Sequence, residues 1–289
     1  MFKSHWLILI LFAWGISVKK PPANSTIFPI DKIIDTIHSK ILNEDRFIWV
    51  HVPASVHNMT KEYPVIFLLD AEANFDETKK ILDKLRTEGG APEAILVGID
   101  NIWLRYRDYS PTRVDSSTWV DAATARTTGG GKKFIAFLEE ELLPFIEKKY
   151  PVSSRRSIIG HSMGGLQVIN IFLKHQQLFD DYVAIDPSMW WDHMKLVNEC
   201  PGLIGNKGFE NKKLFLAIAN EPEKRMSMEQ VKNDTSAKTV LIRPSFTLAD
   251  HIQKNKSNNL KFEWKFYKDH HHMTVNAAAT YDGLKFSMH

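Results

Sequence analysis

The chain has 289 residues, 44% hydrophobic and 25% charged, which supplies a large core and an ordinary globular surface. Its formal net charge of +3 comes with no dense Lys/Arg run, which excludes the electrostatic footprint of a nucleic-acid binder. A lone cysteine, Cys200, rules out an intrachain disulfide.

In chain order, residues 1–20 stand apart. Lys3 precedes an uncharged stretch from Trp6 to Val18, and Lys19-Lys20-Pro21-Pro22 follows. A basic start and an apolar run of about 13 residues match a secretory signal peptide. The run is short of the roughly 20 residues of a bilayer-spanning helix. Gly15-Ile16-Ser17 is a poor cleavage site, so an uncleaved N-terminal anchor is the alternative, and membrane contact is expected only if the segment is retained. The expectation is an exported protein, periplasmic or secreted, with one folded domain over residues 25–289.

Phe47 to Pro53 reads as a strand, and Tyr63 to Asp70 as a central one, apolar on both faces. A helix is predicted over 78–88, from Ile81, Leu82 and Leu85, and a buried strand over 94–99. Residues 132–150 read as a helix with Phe134, Phe137, Leu138, Leu142 and Phe145 on one side, kinked by Pro144 and stopped by Pro151. Short strands are predicted at 156–159, 182–185 and 214–219, and helices at 165–173 and 246–254. Residues 260–267 alternate like a strand near a sheet edge. The polar stretch 222–240 resists assignment. Strands alternating with helices predict an α/β fold, a mostly parallel central sheet with helices on both faces.

Between the strand at 156–159 and the helix at 165–173 stands Gly160-His161-Ser162-Met163-Gly164, the G-x-S-x-G pattern of a nucleophile elbow in its strand–turn–helix setting. Gly160, Gly164 and Gly165 leave room for a sharp turn, and the turn aims the Met163 N–H at the place where an oxyanion would form. In this architecture the catalytic groups run Ser, acid, His along the chain. The strand at 214–219 ends in Asn220-Glu221-Pro222-Glu223, which makes Glu221 the first candidate acid and Glu223 the second. Asp186, after the preceding strand, is an outside candidate. The last strand leads into His270-His271-His272, one of which is placed to be the general base. A metal-binding tract is the competing reading of the three histidines. No H-E-x-x-H or Cys/His spacing accompanies them, so neither metal nor cofactor is expected. The second oxyanion donor is expected at Ala71, after the strand ending in Asp70.

Further segments carry a family resemblance: Leu69 to Phe75, Arg105-Tyr106-Arg107-Asp108-Tyr109-Ser110-Pro111-Thr112, Gly129 to Phe134, the elbow, Asp186-Pro187-Ser188-Met189-Trp190-Trp191-Asp192 and Tyr281 to Leu284. In that order they resemble the esterase branch of the α/β-hydrolases, which includes siderophore (enterochelin), feruloyl and acetyl-xylan esterases and mycolyltransferases, and within it an exported bacterial subgroup. The resemblance implies an α/β-hydrolase fold and a cofactor-independent serine ester hydrolase. It singles out His272, because His272-Met273-Thr274-Val275 matches the family's H-[GS]-[ST]-V segment. Two departures matter. Ala71 stands where the family usually has glycine, and some members work with Ser and His without an evident acid, which weakens Glu221. Arg105, Arg107, Asp108, Trp190 and Trp191 are candidate pocket residues, against a reading in which the tryptophans are core and Arg107–Asp108 a structural ion pair.

The expected function is hydrolysis of a small-molecule or glycan ester by Ser162, His272 and Glu221, with Met163 and Ala71 holding the oxyanion and Arg105, Arg107, Trp190 and Trp191 binding substrate. Acyl transfer through the same acyl-serine, and a non-catalytic exported binding protein of the same fold, are the alternatives.

Overall fold

In the computed structural model the described residues are 32–55, 61–101, 103–117, 119–205, 208–220 and 226–289, and those from 32 onward belong to one compact unit. The leader expectation (residues 1–20) and both glutamates, Glu221 and Glu223, lie outside the described residues.

The chain runs β1 (Ile33–Ser39), β2 (Glu44–His51), β3 (Tyr63–Leu69), α1 (Ala71–Thr87), β4 (Ile95–Ile99), α2 (Arg105–Tyr109), α3 (Ala122–Thr127), α4 (Gly131–Phe137) and α5 (Leu143–Lys149). It continues through β5 (Val152–His161), α6 (Met163–Lys174), β6 (Asp181–Ile185), α7 (Trp191–Ile204), β7 (Lys213–Asn220), α8 (Met228–Asn233), α9 (Arg243–Asn255), β8 (Lys261–His271) and α10 (Asn276–Met288). The strands form one eight-stranded sheet in the order β1-β2-β4-β3-β5-β6-β7-β8. Strand β2 is antiparallel to both neighbours, and every pairing from β4 to β8 is parallel. This is the α/β-hydrolase architecture.

Alternation along the strands explains the two-sided core. On β3, Val65, Phe67 and Leu69 join one apolar cluster, with Val168, Ile171 and Phe172 of α6. Ile66 and Leu68 join the other, with Phe75 and Leu85 of α1 and Ala279 and Leu284 of α10. A strand buried on both faces reads as a continuous apolar run, which is why β3 and β7 are plain in the sequence. The apolar band of residues 132–150 spans α4, a π-helical turn at Leu138–Leu142 and α5, with Pro144 in the first turn of α5. Pro144 has no N–H to give to a carbonyl in the preceding turn, and the helix widens there. Strand β8 is one edge of the sheet, as its alternating pattern predicts, and it extends to His271.

Parallel order sets the site. Three adjacent parallel strands each end in a residue with positive φ: Asp70 after β3 (54°), Ser162 after β5 (59°) and Asp186 after β6 (40°). Side chains at the carboxyl ends of neighbouring strands converge on the crevice above the sheet.

Candidate active site

Ser162 stands between β5 and α6 with φ 59° and ψ −118°, a conformation that side-chain-bearing residues rarely adopt. The surroundings hold it there. Its N–H donates to the Ile185 carbonyl at 3.0 Å, and its own carbonyl accepts from Leu166 N–H at 2.9 Å and Ser188 N–H at 3.1 Å. The turn is tight enough that a Cβ on Gly160 would lie 2.4 Å from the Gly164 carbonyl. The sequence expectation of a strained serine supported by small neighbours therefore matches the backbone.

His272 follows β8, in the turn before α10. Its Nε2 lies 3.0 Å from Ser162 Oγ, and its Nδ1 lies 2.5 Å from Asp186 Oδ2. The second carboxylate oxygen, Asp186 Oδ1, accepts from Ala219 N–H at 2.9 Å, and Asp186 N–H donates to the Ala217 carbonyl at 2.8 Å. Both faces of the carboxylate are thereby fixed. Since Asp186 accepts at Nδ1, that nitrogen carries the hydrogen and Nε2 presents its lone pair to the serine. The chain thus brings together Ser162, His272 and Asp186.

Asp186, the outside candidate of the sequence, occupies the contact with His272 Nδ1, while Glu221, the first candidate, lies outside the described residues. The end of β7 has another use: Asn220 is buried, and its side-chain amide donates to the Met226 and Lys268 carbonyls, tying the segment after β7 to strand β8. A signal for Asp186 existed in the sequence. Ile185-Asp186-Pro187 puts an acid directly after the apolar run Tyr182 to Ile185, as Leu69-Asp70 does after β3.

Met163 and Ala71 open α6 and α1 and are both buried. The first N–H groups of a helix have no intrahelical acceptor, and they carry the positive end of its dipole. The two helix starts are neighbours: a Cβ on Gly164 would lie 3.3 Å from Asp70 Oδ2 and 3.5 Å from Leu69 Cβ. Asp70 is clamped by Arg105, whose Nε and Nη2 donate to its two oxygens at 2.7 and 3.0 Å. Burial pushes the Asp70 carboxyl above the ordinary carboxylate range, and the Arg105 ion pair opposes that shift.

The other expected pocket residues separate. Arg105 is engaged by Asp70 and sets the turn before Ala71. Arg107 is engaged in ion pairs: its Nη1 and Nη2 donate to Glu44 at 2.8 and 2.6 Å, and its Nε to Asp108 at 2.7 Å. Asp108 also accepts from buried Arg46 at 2.7 Å, so the group is a structural ion network joining β2 to α2. Trp191 is core, 3% exposed, with its indole N–H donating to the Thr112 carbonyl at 3.2 Å. Trp190 alone of these reaches the crevice. A cavity of about 240 Å³ is lined by Ser162, Asp186, Ser188, Trp190, Ile242 and His272. Trp190 also lines, with Trp191, Arg113, Trp119 and His193, a cleft of about 630 Å³. Among the described residues no group of three or more His, Cys, Asp or Glu side chains is arranged to hold a metal ion.

His161, the variable residue of the elbow, has no role in the sequence reading. Its ring packs on that of His272, with centroids 4.6 Å apart and planes tilted by 34°. Its Nε2 lies 3.0 Å from the His272 main-chain carbonyl.

Comparison with known proteins places the chain among esterases. The ferri-bacillibactin esterase BesA of Bacillus subtilis is 34% identical over 151 residues, 45% of this chain and 49% of that protein. The siderophore triacetylfusarinine C esterase of Aspergillus fumigatus is 28% identical over 148 residues, half of each chain. The chain thus spans about half the length of the curated relatives it matches. An IroE-like serine hydrolase from Shewanella oneidensis superposes with a TM-score of 0.76 at 29% identity, covering 88% of this chain and 79% of its own. The family described as "Putative esterase" matches residues 39–281, the span that carries β2 through α10 up to Tyr281, and the chain belongs to that esterase family.

Proposed function

We propose that this protein is a serine carboxylic-ester hydrolase acting on siderophore esters. The observation that carries the reading is the continuous Ser162–His272–Asp186 hydrogen-bond chain at the floor of an open cavity. The siderophore direction rests on BesA and the triacetylfusarinine C esterase, whose names record that activity for those proteins.

The chemistry follows from the tautomer. Ser162 Oγ attacks the ester carbonyl carbon as its proton passes to His272 Nε2, and the Asp186 carboxylate stabilises the imidazolium. The carbonyl oxygen, now an alkoxide, is held by the Met163 and Ala71 N–H groups and by two helix N-termini. Collapse of the tetrahedral intermediate expels the alcohol, which takes the proton from His272. A water molecule, deprotonated by the same nitrogen, then releases the acid and frees Ser162. Trp190 and the adjoining cleft would receive the bulk of the ester beyond the scissile bond. Residues 1–20 would direct export, which mass spectrometry of the protein recovered from an expressing cell tests.

Purified protein is expected to hydrolyse p-nitrophenyl butyrate and, more efficiently, ester siderophores in ferric or apo form, with Ser162→Ala inactive in both assays. Turnover by Ser162→Ala close to that of the unaltered protein would reject the mechanism. Turnover of simple esters with every siderophore intact would reject the substrate class. Product analysis with an added alcohol acceptor separates hydrolysis from acyl transfer.

A further inference from the structure

We propose that His161 is a positioning residue for His272, acting through its ring N–H on the main chain that carries the general base. The inference rests on the serine-hydrolase reading of Ser162 and His272. A backbone carbonyl only accepts, so the 3.0 Å contact from His161 Nε2 to the His272 carbonyl makes that nitrogen the protonated one. The bond joins the last residue of β5 to the turn after β8, strands that are not neighbours in the sheet. Ser162 adjoins one end of the link and the His272 ring the other. The contact therefore adds to the Asp186 bond in setting the distance between nucleophile and base, a distance that neither strand's own ladder sets.

The ring's charge state suits this role. Burial, together with the facing His272, pushes the His161 imidazole down to about 4, opposed by Asp186 and reinforced by Arg105. His161 is then neutral at neutral pH. A second cation against the His272 ring would oppose the imidazolium that forms as Ser162 gives up its proton. A neutral ring stacked at 4.6 Å excludes water from that side without this penalty.

The test compares His161→Phe, which keeps a flat ring without a donor, with His161→Gln, which keeps an N–H donor. In the full chain, His161→Phe is expected to lower kcat on p-nitrophenyl butyrate on the order of 10- to 100-fold with KM nearly unchanged. His161→Gln is expected to recover most of that loss. The Nδ1–H proton of His272, bonded to Asp186, supplies a second readout as a downfield NMR signal, expected sharp in the unaltered protein and in His161→Gln and broadened in His161→Phe. An unchanged kcat and signal in His161→Phe overturn the proposal. Equal losses in both variants, whatever their melting temperatures, overturn it as well by assigning His161 to packing alone. Should the unaltered protein hydrolyse no ester, the serine-hydrolase reading fails, and the NMR comparison still decides whether His161 orders His272.

Discussion

The 2.5 Å contact between His272 Nδ1 and Asp186 Oδ2 fixes which ring nitrogen bears hydrogen, and with it the direction of proton flow from Ser162. Asp186→Asn keeps the shape but lets an amide N–H donate to Nδ1, which favours the wrong tautomer. Its kcat is expected to fall on the order of 10³- to 10⁴-fold with little change in KM, as measured by steady-state ester hydrolysis. Arg105 acts on a different part of the site. Arg105→Ala leaves the buried Asp70 carboxylate unpaired in the turn before Ala71, at a cost on the order of 3 kcal/mol. A lowered melting temperature together with a lowered kcat is expected, whereas Arg107→Ala, remote from the crevice, is expected to lower stability and leave kcat intact. Ser162 was readable because its turn constrains its neighbours locally. His272 was readable once the resemblance chose among three histidines. Asp186 was ranked below Glu221 because chain order does not say which strand end faces the histidine.

At the scale of the elements, the sheet order answers that question. From β8, His272 must reach back across β7 and β6 to β5, roughly 14 Å at the usual strand spacing. The end of β6 adjoins β5 and meets the ring from its Nδ1 side, while β7 ends in Asn220, whose amide is committed to the Met226 and Lys268 carbonyls. Close packing of helix on strand also positions the oxyanion donors. Gly98 of β4 lies under α1, where a Cβ would stand 2.6 Å from the Phe75 ring and 2.7 Å from Ala71 Cβ. Gly98→Ala is expected to displace the start of α1, costing about 1–3 kcal/mol by overpacking. Because Ala71 is one of the atoms struck, kcat is expected to fall with the melting temperature. A stability loss with kcat untouched would separate Ala71 from the oxyanion site.

For the whole molecule, His161 beside the site and the half-buried His175 at the far end of α6 make stability depend on pH. The folded state holds the His161 imidazole down at about 4, against 6.5 for the ordinary group, and burial also lowers that of His175. Between those values the unfolded chain binds more protons than the folded one, so stability rises with pH and is lost as pH falls from 6.5 toward 4. The His161 share of that loss amounts to at most about 3 kcal/mol. Melting temperatures recorded across this window are expected to decline more gently in His161→Phe, which has no proton to take up. An identical slope in the two proteins would remove His161 from the linkage.

The amino-acid sequence by itself determined what depends on neighbours along the chain. Period-2 and period-3.6 patterns gave the buried strands and the helices behind them, and the Gly-flanked Ser162 gave the elbow, because strand, turn and helix preferences act over a few residues. Edge placement of β8 was legible from its alternating exposure. Tertiary structure alone decided the partner of His272, the engagement of Arg107 by Glu44, the burial of Trp191 beside the half-buried Trp190, and the contact of His161 with the His272 carbonyl. Each of these joins residues far apart in the chain, and their proximity follows from sheet order and helix crossover, which no local pattern encodes.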